Sequence, residues 1–429
     1  MLESMKNYTF LFLILPTIVS AQSATPQGDT LTLEQCVQIA LKHNPSIQVA
    51  EGGLESSESN LVLSRSGLMP QISAQASVTR NGGTFILGKN AFNGFYDNYA
   101  SGIQAQQLIF DFGKTITRVS GSADLVDASD QGVRSASEDV IVNTYIAYFN
   151  YLAAERVRDV DSETVQQAEE HLKQAQAFYK AGTAPQYDVV NAEVTVANAN
   201  VNLIQAVNNL KIARVQLENV INQKLSDNFA LSDILEVPHV EIDMQAAIDT
   251  ALKNRPELLS SQAEVQANKQ FLASAWTANL PNIFASGGYN WRNLNPSPLY
   301  AGWNVGLTIS LPIFQGFALD AAIDQAKANL KSAEASNDLV LQSLYLNVQQ
   351  EEFALEEANE SIQASRKLVE SSDEALRLAV GRYNSGIGTA LEETDAEVAL
   401  ANARISYIQS LYNYNVAYAQ LERAMGTIK

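Results

Sequence analysis

The stretch "WNVGLTISL" (303–311) alternates without a break. Trp303, Val305, Leu307, Ile309 and Leu311 fall on one side, and Asn304, Gly306, Thr308 and Ser310 on the other. A period of two predicts a β-strand with one apolar and one polar face. Two environments suit such a strand. One is a half-buried sheet in a soluble domain; the other is a membrane barrel, whose tilted strands cross a bilayer in about 9–11 residues. The rest of the chain decides between them.

Three more segments share the pattern. "NIFASGGYNW" (282–291) places Ile283, Ala285, Tyr289 and Trp291 on one face and Asn282, Ser286 and Asn290 on the other. "QISAQASVT" (71–79) repeats it earlier in the chain, and "YASGIQAQ" (99–106) does so less cleanly. Strands are therefore expected at about 71–80, 99–110, 282–291 and 303–311. Each pair is joined by a loop rich in Gly, Asn and aromatics, the longer one covering 81–98. Tyr99, Trp291, Tyr300 and Trp303 at the strand ends suit a membrane-interface girdle.

Helical patterns fill the remainder. From about 319 to 384 there is no Pro and one Gly, Gly381, which predicts a helix of roughly 100 Å at 1.5 Å per residue. Its counterpart runs from about 114 to 181. Each ends at a Gly-containing turn, "KAGTAPQ" (180–186) or "NSGIGTA" (384–390), and a return helix follows, at about 186–222 and 390–425. The first return helix carries a 3-4 seam of Leu203, Val207, Leu210, Leu217 and Ile221, with Arg214 as the exception. The second carries Tyr407, Leu411, Tyr414, Tyr418, Leu421 and Met425, with another row at Leu391, Thr394, Val398, Ala401, Ile405, Ile408 and Tyr412. Such spacing argues for coiled-coil packing, and two rows on one helix argue for neighbours on both sides.

The two halves share one plan. "AEVTVANAN" (192–200) and "AEVALANAR" (396–404) agree at six of nine positions. "ALKHNP" (40–45) matches "ALKNRP" (251–256), and "LIFDFG" (108–113) matches "PIFQG" (312–316). The repeats span 33–222 and 244–426, joined by an ordered connector at 223–243. Seven residues are extra in the first half, all between Pro70 and Phe110.

Composition narrows the function. A net charge of −19 without Lys/Arg clusters argues against a nucleic-acid partner; the acidity serves either solubility or an acidic lumen. Cys36 is alone, so no intrachain disulfide forms. His43, His171 and His239 stand apart without zinc-ligand spacing, and no phosphate-binding glycine motif is present. No metal, cofactor or catalytic constellation is expected, hence no enzyme. "MKNYTFLFLILPTIVSAQS" (5–23) reads as a secretory signal, with residues 1–21 removed by cleavage after Ala21. Its apolar core is too short for a membrane anchor. Export, scarce cysteine and helices too long for a compact domain favour the membrane reading of the strands. Four strands cannot close a barrel, and open edges are not tolerated in hydrocarbon, so several chains must pool them.

The order of these parts resembles the TolC-like outer-membrane efflux proteins. "LTLEQCVQIALKHNP" (31–45) is similar to that family's opening motif and recurs weakly as "IDMQAAIDTALKNRP" (242–256). "YKAGTAPQYDVVNAEV" (179–194) and "RYNSGIGTALEETDAEV" (382–398) look like its signature turns. The resemblance implies an α+β membrane protein. It would be a homotrimer, with a shared twelve-stranded β-barrel in outer-membrane lipid continued by a helical barrel across the periplasm. It also implies partners: a periplasmic adaptor (membrane fusion) protein and an inner-membrane pump, docking at tip turns that here contain Gly182, Thr183, Gly386, Ile387 and Gly388.

Carried over residue by residue, the resemblance places the pore constriction at Glu392 and Asp395, with Glu393 pointing elsewhere. The competing reading of these carboxylates is a solvated acidic helix start. Asp188 and Tyr383 match a latch between the hairpins, although Gly388 stands where the family has an arginine and Arg382 is the nearest substitute. Asp188 reads equally well as a helix-start residue. Together these features imply a passive exit duct of a tripartite efflux or type I secretion system. The alternative, a periplasmic coiled-coil scaffold or tether, leaves the four two-faced strands without a purpose.

Overall fold

The computed structural model describes residues 30–87, 90–236 and 243–429. The expected signal segment, part of the connector and His239 lie outside the described residues. The first half contains β1 (Thr30–Leu31), α1 (Leu33–His43), α2 (Pro45–Ser66), β2 (Gln71–Leu87), β3 (Asn90–Phe110), α3 (Lys114–Lys180) and α4 (Gln186–Ile221). The connector contains β4 (Ala230–Leu231), and the second half contains α5 (Met244–Asn254), α6 (Pro256–Thr277), β5 (Asn282–Asn293), β6 (Tyr300–Ser310), α7 (Ala318–Asn384) and α8 (Ala390–Met425). Corresponding helices have equal lengths: 11 residues for α1 and α5, 22 for α2 and α6, 67 for α3 and α7, and 36 for α4 and α8.

Equal lengths follow from equal punctuation. Thr32 and Asp243 cap α1 and α5 by accepting a backbone N–H three residues on, and Pro45 and Pro256 open α2 and α6 where a missing N–H costs nothing. Asn222 and Gly426 close α4 and α8 in the left-handed region. The connector is held to the first half by parallel pairing of β1 with β4. Buried Tyr148 reinforces it, donating its hydroxyl to Ser232 O at 2.7 Å and Leu31 O at 3.2 Å.

The four long strands form one antiparallel sheet in the order β2-β3-β5-β6. Its register assembles the faces that each strand proposes singly. One row across the sheet is Ala74, Ile103, Tyr289 and Trp303; the next row on the opposite face is Ser73, Gln104, Gly288 and Asn304. On the apolar face Trp303, Val305 and Leu307 are 76%, 79% and 74% exposed. Both β2 and β6 are open edges within the chain.

The expected loop at 81–98 is a correction. Antiparallel pairing continues from Gln71↔Gln106 to Leu87↔Asn90, so 81–98 is mostly hairpin. Its glycines and asparagines blur the alternation, but main-chain hydrogen bonds need no side-chain pattern. At about 3.3 Å per residue, the 11 residues of β6 span ~36 Å, and tilt shortens this to about a bilayer core. The 17 residues of β2 reach ~20 Å further.

The seam of α4 also differs from the expected one. Ala192, Ala199, Ala206 and Ala213 are buried at every seventh position, alternating with half-buried Leu203 and Leu210 before Leu217 and Ile221. Val207 is off the seam and exposed. Small residues let α3 and α4 approach closely, so bulk was the wrong guide to the buried face. A second apolar stripe, Tyr187, Val190, Val194, Val201 and Ile204, is left uncovered by the chain itself.

Arg423 on α8 ties the halves together. Its guanidinium donates to Asp139 Oδ1 at 2.8 Å and Glu138 Oε2 at 3.1 Å on α3, and to the Glu257 carboxylate on α6. Burial alone would raise the Glu257 carboxyl, but hydrogen bonding and charge from Arg423 overturn this and hold it at about 2. Arg423→Met would leave Glu138 with Arg134 alone and Glu257 with Arg255 and Ser135, so denaturation in detergent should show a loss smaller than the about 3–5 kcal/mol of a buried pair left wholly unpaired. A depressed carboxyl stabilises the fold above its ordinary value of 4.5 and ceases to do so as pH falls towards 2. The melting temperature of wild type should therefore exceed that of Glu257→Gln at pH 6, and the gap should close between pH 4.5 and 2.

Candidate functional site

The long hairpins end side by side. At the end of α3, Gly182 has φ +76°, with Gly182 N–H donating to Tyr179 O and Thr183 N–H to Phe178 O. Gly386 repeats this after α7 with φ +71°, donating to Tyr383 O, while Ile387 donates to Arg382 O. Both are glycine-terminated turns that satisfy the last carbonyls of a helix while reversing the chain. An open cavity of about 690 Å³ lies between them, walled by Phe178, Thr183, Asp188, Tyr383, Gly386 and Gly388 among others.

Asp188 and Tyr383 thus share a cavity. They are not hydrogen-bonded: Tyr383 is buried and its hydroxyl has no hydrogen-bond partner. Burial pushes its phenol up, and the Asp188 and Glu393 carboxylates push the same way. Its ring packs instead on His171 and Phe178, at centroid separations of 5.5 and 5.4 Å.

Gly388 explains why no arginine stands there. A Cβ at this position would lie 2.9 Å from both Arg382 Cβ and Tyr383 N. Arg382, close by in sequence, donates from Nε to Glu392 Oε2 at 3.3 Å. This pair is exposed and worth at most about 1 kcal/mol.

Glu392 and Asp395 are both exposed on the first two turns of α8. Thr389 caps that helix by accepting from Glu392 N–H at 3.2 Å. Glu393 and Glu397, the carboxylates one step round, are buried and face His171 on α3. Burial raises the Glu397 carboxyl to about 7, with Glu393 adding to this and His171 opposing it. Burial alone would lower the His171 imidazole; the Glu393, Glu397 and Asp188 carboxylates leave it raised. Spacing along the sequence hides this trio, since its members lie on helices more than 200 residues apart. A signal was present: His171 falls at 3-4 spacing between Ala168 and Ala175, a polar residue written into a buried seam.

No described helix is long and apolar enough to cross a membrane. A family model described as "Outer membrane efflux protein" matches residues 36–223 and 247–427. The toluene efflux pump outer membrane protein TtgC of Pseudomonas putida is 24% identical over 411 residues, covering 92% of this chain and 82% of that protein. Outer membrane protein TolC of Escherichia coli is 26% identical, covering 97% and 86%. In fold, the Campylobacter jejuni CmeC outer membrane channel matches with a TM-score of 0.83 at 20% identity, over 92% of this chain and 85% of that one.

Crowding at Gly388 is open to test. Gly388→Ala should loosen the turn, so that limited trypsin digestion cuts at Arg382 faster than in wild type while Arg423 stays protected.

Proposed function

The chain belongs to the outer membrane efflux protein family, and we propose that three copies of it build the exit duct of a tripartite pump. The protein is an outer-membrane efflux channel; the number of chains and the docking partners are our reading. The observation that carries it is the four-stranded sheet, whose apolar face and two edges are uncovered in one chain. Three such sheets, edge to edge, make twelve strands and leave no edge in lipid.

Below the membrane, α3, α4, α7 and α8 continue each sheet as long hairpins, and the stripe from Tyr187 to Ile204 offers the apolar face that a neighbouring copy needs. The turns at Gly182–Thr183 and Gly386–Gly388 are the part a periplasmic adaptor and an inner-membrane pump would grip. Asp188 and Tyr383, facing one cavity without bonding, fit a latch already slack. Glu392 and Asp395 lie three apart on one exposed helix face, and threefold symmetry would turn them into two rings of carboxylates that favour cations.

Planar bilayers test this reading. Protein extracted from the outer-membrane fraction should insert and pass cations in preference to anions. Glu392→Gln/Asp395→Asn should insert equally well and bring the permeability ratio several-fold towards unity. Failure of wild type to conduct at all would contradict the duct. Unchanged selectivity in the double variant would remove these carboxylates from the constriction and leave the duct standing.

A further inference from the structure

Close to the tip turns, three buried side chains face one another. His171, Glu393 and Glu397 are 3%, 4% and 7% exposed. One potential ligand atom from each lies within 4.8 Å of the other two. His171 Nδ1 stands 3.3 Å from Glu393 Oε2, an ion-pair distance when the imidazole is protonated, but the two are not in hydrogen-bonding geometry. Both imidazole nitrogens and this carboxylate oxygen lack any hydrogen-bond partner. Packed interiors seldom leave such groups unsatisfied, because each costs free energy and charged ones cost more. Two carboxylates buried side by side also repel each other. Protonation of His171 offsets part of this charge, whereas a metal ion held by the neutral imidazole and both carboxylates would offset the charge and give each side chain a ligand bond.

We propose that His171, Glu393 and Glu397 form a binding site for a divalent transition-metal ion of the zinc class, which staples α3 to α8 above the tip. One imidazole nitrogen and two carboxylate oxygens, with a fourth position for water, are a donor set that Zn2+ accepts; Ca2+ and Mg2+ prefer more ligands, all oxygen. Tetrahedral ligands at about 2.0–2.1 Å stand ~3.4 Å apart, so the present spread closes with about 1 Å of side-chain movement. Glu393 and Glu397 are one helical turn apart and share a face, which presents both oxygens to the opposing helix. The Tyr383 ring, 5.5 Å from the imidazole, closes the cluster on the α7 side.

The site draws ligands from both hairpins, His171 from the first and the two glutamates from the second. A bound ion therefore resists their separation. This consequence for tip opening rests on the duct reading, whereas ion binding itself does not.

The test uses the full chain in detergent, without a histidine tag, stripped with a chelator and titrated with ZnCl2. Wild type should take up one Zn2+ per chain in calorimetry, and Co2+ in its place should give the visible absorption of a tetrahedral site. Glu393→Gln and Glu397→Gln, which nearly preserve shape, should each weaken binding at least ~100-fold, since even losing a ligand's supporting contact costs about 10–100-fold. If a variant fails to fold, the Co2+ spectrum of wild type decides the matter alone. No uptake by wild type, no tetrahedral spectrum, or equal uptake by the folded glutamine variants would overturn the site. Zinc should also lower the open-channel probability of wild type in bilayers. Stoichiometric binding with no effect on conductance would keep the site and remove its role in opening.

Discussion

Everything in this molecule depends on the unpaired edges of a four-stranded sheet. An edge strand points alternate N–H and C=O groups away from its sheet, so the 11 residues of β6 leave about ten of them without partners. In hydrocarbon each costs several kcal/mol, giving tens of kcal/mol at one edge. That exceeds the net stability of an ordinary domain, about 5–15 kcal/mol. A chain that places this sheet in a membrane cannot do so alone.

The helical part answers the same constraint. In the proposed trimer, copies joined through their sheets would bring their hairpins alongside, and α4 has one seam filled by α3 and another bare. Gene duplication explains why the solution is written twice, with matching caps at Thr32 and Asp243 and matching reversals at Gly182 and Gly386. The halves diverge in two places with visible consequences. Extra residues lengthen the β2–β3 hairpin, and the second tip carries Gly388 packed against Arg382 and Tyr383.

Much of this was legible in the residues. Strict alternation in 303–311, the absence of proline over 319–384 and the repeated tip motifs each have one dominant physical cause. What escaped was set by competition between neighbours. The 81–98 hairpin is built from main-chain bonds that composition does not report. In α4, alanines at 192, 199, 206 and 213 take the seam because helix approach rewards smallness there, while Val207 is left outside. Glu392 and Asp395 share an exposed face, as spacing on a helix dictates. Yet Glu393 faces buried His171, more than 200 residues away, and no local spacing announces that approach.

The central claim is that one chain is an incomplete barrel. Its most direct test is the native mass of the protein extracted by detergent from outer membranes. Three chains in one complex, stable without any other protein, is the expected result. A monomer in detergent, or protein released from the envelope by a detergent-free wash, would contradict it.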